Sequence, residues 1–104
     1  MVNKPKQMTS IDILSAVYDV QNERAEEYEQ KGGENSFQRI ATIFNAYRNK
    51  DLKPSDIALI LRILKEVRSE YSDKVHLDSF IDGVSYESIR AKLRIEEKSN
   101  GSSK

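Results

Sequence analysis

Glu23, Glu26 and Glu27 are separated by steps of three and four residues, which on a helix gathers them on one face. Such a cluster holds a divalent cation when a neighbouring helix brings further oxygens to it. Alone, it is an ordinary solvated helix face. Asp78, Asp82 and Tyr86, continued by Ile89 and Leu93, form a second file that begins acidic and ends apolar. The apolar continuation places Asp82 at least partly inside, where a carboxylate requires a partner. Lys65 and Arg68 supply one. With their helix antiparallel to that of Asp82, Arg68 and Asp82 lie almost equally far from the intervening turn. A structural Arg68–Asp82 pair is therefore preferred to a catalytic role for either residue. His76, the single histidine, stands in that turn beside Asp78. There it can orient the aspartate, cap a helix or transfer a proton.

Several other chemistries have no support. One histidine without cysteine makes a poor zinc site. Gly32-Gly33 lacks the preceding strand and the lysine spacing of a phosphate loop, and no Gly-x-Ser-x-Gly nucleophile elbow occurs. The absence of cysteine also removes disulfides and thiol catalysis, and fits a reducing compartment. Lys plus Arg and Asp plus Glu number 17 each, so the charge is balanced and dedicated nucleic-acid binding, which needs a basic surplus, is not expected. The longest apolar stretch, Ile57 to Leu64, is far too short for a membrane span. The opening MVNKPKQMTS has no apolar core behind its lysines and does not read as a secretory signal. These features together predict a cytoplasmic protein with no membrane association.

Helices must position these residues. Residues 1–8 show no periodicity and read as a disordered arm. Thr9 with Asp12 forms a capping box that starts a first helix, running to about Lys31. Ile11, Leu14, Val17, Tyr18, Ala25 and Tyr28 lie near its one apolar stripe, and Gly32-Gly33 ends it. Asn35 with Gln38 opens a second helix, whose Phe37, Ile40, Ala41, Phe44 and Tyr47 step by three and four. A third helix spans Pro54 to Tyr71. Between Ile57 and Leu64 only its Arg62 is polar, so it is apolar around most of its circumference and should be the central member of the fold. Lys53 occupies its cap position and cannot accept a hydrogen bond there, a cost of about 1 kcal/mol. A fourth helix is predicted from Asp78 to Leu93, capped by Asp78 or Ser79, with Gly83 tolerated inside it if another backbone packs close. The segment EEKSNGSSK, residues 96–104, reads as a disordered tail. The predicted fold is all-α: one four-helix antiparallel bundle over residues 9–95.

One set of positions resembles a known family. Arg24 and Tyr28 begin it, followed by Phe37, Ile40-Ala41 and Tyr47. Pro54-x-Asp56-Ile57-Ala58, Leu64-Lys65 and Arg68 come next, then His76-x-Asp78-Ser79-x-x-Asp82 and Tyr86. Across Ile13 to Ile89 these look like a family of small phage and prophage helical proteins of unknown function. That family is similar in turn to the all-α nucleoside triphosphate pyrophosphohydrolases of the MazG and dimeric dUTPase group. Those enzymes hold magnesium with paired Glu-x-x-Glu and Glu-x-x-Asp helices. Glu23-x-x-Glu26 fits the first half of that pattern, whereas the only Glu-x-x-Asp here is Glu70-x-x-Asp73, at a helix end. Glu29 replaces the family's usual glycine after the tyrosine, and Lys53 its threonine-like cap.

Two functions follow as expectations. The first is a small phage-type accessory protein that binds a host or phage protein, or a nucleotide, through its helical surface, without catalysis or cofactor. The alternative is a magnesium-dependent pyrophosphohydrolase-like nucleotide handler. In it, Arg24, Lys65, Arg68 and His76 would meet phosphates, and Glu23, Glu27, Asp78 and Asp82 would hold the metal. The greasy third helix further predicts a homodimer.

Overall fold

The computed structural model describes residues 7–30 and 36–101. Four helices follow one another: α1 (Ser10–Gln30), α2 (Ser36–Arg48), α3 (Pro54–Glu70) and α4 (Leu77–Gly101). No strand occurs among the described residues. The expected all-α helical bundle is the observed fold. The Gly32-Gly33 stop and the Asn35 half of the second capping box lie outside the described residues, as do residues 1–6 of the expected arm.

Local chemistry sets most of the helix ends. The Thr9 amide donates to Asp12 Oδ2 and the Asp12 amide to Thr9 Oγ1, both at 3.0 Å, so the capping box forms as its spacing dictates. At the end of α2, Asn49 adopts φ 52°, a left-handed conformation that asparagine tolerates better than most side chains. The Asn45 side chain clamps the turn that follows: its Nδ2 donates to the Leu52 carbonyl at 2.9 Å, and its Oδ1 accepts from the Leu52 amide at 2.8 Å. Lys53 is the residue before α3 and makes no side-chain cap. Asp56 provides half of a box by accepting the Lys53 amide at 2.8 Å, in the first turn where its charge also suits the dipole.

α3 and α4 form the inner antiparallel pair; α1 packs on α4, and α2 packs on α3. The buried apolar side chains are Val17, Phe37, Ala41, Ile57 and Ala58, with Leu52, Leu61, Tyr86, Ile89 and Leu93 packed against the Phe37–Ala41–Ile57 group. The Phe37 and Tyr86 rings meet edge to face, centroids 6.3 Å apart. α3 is thus central as its composition predicts, but only its first turns are enclosed. Ile60, Ile63, Leu64 and Val67 remain exposed, as do Ile11, Leu14 and Tyr18 of α1 and Ile43, Phe44 and Tyr47 of α2.

Two expectations about α4 are corrected. The helix begins at Leu77 and continues to Gly101, well beyond Leu93, so residues 96–101 are helical and not the start of a disordered tail. A contact distant in sequence explains the extension. Glu97 Oε2 accepts the Ser55 amide at 3.0 Å, and its Oε1 accepts the Ser55 hydroxyl at 2.7 Å. A carboxylate there satisfies one of the unpaired amides of the first turn of α3 and meets the positive end of its dipole. Gly83, in turn, has no neighbouring backbone against it. A Cβ built there would meet nothing within 4 Å, so close packing is not what tolerates the glycine.

Candidate functional site

The predicted site residues divide into those the fold gathers and those it leaves apart. Asp82 is gathered, but not with Arg68. Lys65 Nζ lies 3.0 Å from Asp82 Oδ2, and Arg24 Nη2 lies 3.9 Å from Asp82 Oδ1. The preferred Arg68–Asp82 pair is therefore replaced by a Lys65–Asp82–Arg24 triad, and Arg68 is exposed. The reason is register. α3 ends at Glu70 and α4 begins at Leu77, so Lys65 and Asp82 each stand five residues inside their helix, while Arg68 lies closer to the turn. Asp82 and Lys65 side chains are 23% and 18% accessible. The expectation that Asp82 is partly inside and partnered is therefore met by a different cation.

Further along the same seam, Arg62 Nε lies 3.0 Å from Glu87 Oε1 in a charge contact not aligned as a hydrogen bond, and Arg90 Nη1 donates to Glu87 Oε2 at 2.9 Å. The Gln21 side-chain amide ties α1 to α4. Its nitrogen stands 3.1 Å from the Ser85 carbonyl, 2.8 Å from the buried Ser85 hydroxyl and 2.9 Å from the Ser88 hydroxyl. The sequence reading did not select Gln21, Ser85, Glu87 or Glu97. Arg62, the lone polar residue in an apolar run, was a visible signal that the charged seam of Lys65 extends further along α3.

His76 takes the helix-end role among its three alternatives. It is the residue before α4, its carbonyl accepts the Ser79 amide at 3.0 Å, and its Nδ1 pairs with the Ser79 hydroxyl. Neither Asp78 nor Ser79 caps the helix, because both lie inside its first turn. Asp78 is exposed there, and Glu23 and Glu27 are exposed on α1. Among the described residues, no three of His, Cys, Asp and Glu gather into a metal-ligand group. The candidate set Glu23, Glu27, Asp78 and Asp82 thus does not fit the magnesium that the resemblance implies, since Asp82 already faces two cations.

Two hollows flank the triad. A shallow groove of about 410 Å³ runs between α3 and α4, bordered by Arg62, Lys65, Glu66, Phe80, Gly83 and Glu87. On the Arg24 side, a cleft of about 460 Å³ opens between α1 and α2, floored by Phe37, Leu61, Tyr86, Ile89 and Leu93. None of the described helices is long and apolar enough to cross a membrane.

Residues 12–94, which include the whole triad, match a family described as a domain of unknown function, DUF6378. The chain belongs to this family. In this DUF6378 protein the matched region contains the inner pair up to Arg94 but stops short of Glu97, the residue that secures the end of α4 on α3. No curated protein and no solved structure is significantly similar to it.

Proposed function

We propose that the protein acts by binding other polypeptides through its helix faces, without catalysis, and that its first partner is a second copy of itself. The observation that carries this reading is the exposed file Ile60, Leu64 and Val67 on α3, continued by Tyr71 just past its end. Its spacing of four, three and four residues is that of a helix–helix seam. Two such files can meet about a two-fold axis near Leu64, each offering the same apolar row, as an isologous interface requires. Exposed apolar rows of this kind mark interaction surfaces when they are contiguous. The reading suits a small cytoplasmic accessory protein. The resemblance to phage and prophage helical proteins makes a phage or host protein the natural further partner.

Sedimentation tests the proposal. At micromolar concentration the chain should sediment at twice its 12.0 kDa mass, and Leu64→Glu should return it to monomer with its helical content intact. A single 12.0 kDa species at high concentration overturns the self-association.

Magnesium-dependent pyrophosphohydrolysis ranks second. Arg24 and Lys65 favour an anionic ligand, but the carboxylates that would hold the metal stand apart. Pyrophosphate release from a nucleoside triphosphate, lost in Asp82→Asn with folding preserved, would reverse the ranking.

A further inference from the structure

The cleft between α1 and α2 combines an apolar floor with a local excess of positive charge. α1 rests on α4 and α2 rests on α3, so among the described residues the faces of the inner pair are left open between the two outer helices. The floor carries aromatic and branched side chains: Phe37 against Tyr86, then Leu61, Ile89 and Leu93. Arg24 stands on the α1 wall. It faces Asp82 at 3.9 Å, beyond hydrogen-bond distance, and Lys65 holds that same carboxylate at 3.0 Å. Two cations therefore share one anion, and the triad carries one uncompensated positive charge. Arg24 keeps its planar fork of donors free of any bond to Asp82, in a geometry suited to a carboxylate or phosphate. The Arg24 side chain is 40% accessible, enough for a ligand in the cleft to reach it. The volume, about 460 Å³, lies within the range of small-molecule sites, which join apolar walls to a few placed polar groups.

We infer that this cleft binds a small amphipathic anion, its apolar body on Tyr86, Ile89 and Leu93 and its carboxylate or phosphate head on Arg24. The site is separate from the α3 file that carries self-association, so either can fail without the other.

Methyl-labelled full-length protein titrated with octanoate, octyl phosphate and neutral octanol tests the inference. Saturable shifts should appear at the Leu61, Ile89 and Leu93 methyls with the two anions, the tighter of which identifies the head group. Octanol should bind about tenfold more weakly, and Arg24→Gln should weaken the anions by a similar factor. Ala25→Trp fills the cleft from an exposed wall position and should abolish binding while leaving the helical content unchanged. Shifts centred on Ile60 and Leu64, equal affinity for octanol and octanoate, or anion binding unaffected by Arg24→Gln and Ala25→Trp would each overturn the inference.

Discussion

The inner and outer helices of this protein are held by different means. α3 and α4 are tied across their shared length by polar contacts: Ser55 with Glu97, Arg62 with Glu87, and Lys65 with Asp82. α1 and α2 each rest on one of these helices, α1 through Val17 and the Gln21 side chain, α2 through Phe37 and Ala41. The inner pair gains register from its ladder, because each rung satisfies a specific charge or amide. The outer helices gain mainly burial, with the Gln21 hydrogen bonds fixing α1 on α4; burial is non-directional and leaves the rest of their apolar stripes facing outward. The fold thus combines a polar seam between α3 and α4 with apolar side chains left exposed on the outer helices and on the outward face of α3 itself, at Ile60, Leu64 and Val67. It joins a rigid spine to faces that still have area to bury.

Substitutions can separate the two kinds of attachment. Phe37→Ala should have the largest effect, about 3–4 kcal/mol, because the ring is buried among Ala41, Ile57 and Tyr86 and leaves a cavity. Chemical denaturation measures it. A loss under 1 kcal/mol would show that α2 is held by something other than this burial. Glu97→Ala should cost about 2 kcal/mol, since it strands a buried amide and hydroxyl at Ser55. Hydrogen exchange should then show the last turns of α4 opening first. Unchanged protection beyond Arg94 would mean that Ser55 does not anchor the helix.

Asp82→Ala should cost about 1–2 kcal/mol. That is less than the penalty for breaking a fully buried pair, because both side chains keep some access to water and Lys65 can extend outward. Arg68→Ala, at an exposed position, should change stability by less than about 0.5 kcal/mol. Equal losses at the two positions would contradict the observed register. One substitution should give a gain. Gly83→Ala adds a methyl into open space within a helix and should stabilise the protein by about 0.5–1 kcal/mol, read as a raised Tm. A drop would show that the α3–α4 groove closes over Gly83.

The sequence by itself determined the helices, because the signals for a helix lie within a few residues of one another. The Thr9–Asp12 box, the three-and-four spacing from Phe37 to Ala41, and Pro54 ahead of an apolar run each act over one turn of backbone. It also showed that Asp82 must have a partner, since an acidic residue continued by Tyr86, Ile89 and Leu93 on one face cannot remain wholly in water. Which cation answers it was decided by tertiary structure. Lys65 and Arg68 differ by less than one turn, and only the observed ends of α3 and α4 set the level at which Lys65 meets Asp82. The reach of α4 was likewise beyond local reading. EEKSNG has no apolar period to announce a helix, and its order depends on a carboxylate meeting a serine 42 residues earlier in the chain. The cleft beside Arg24 was equally hidden, because periodicity says which face of a helix is apolar but not which neighbour covers it.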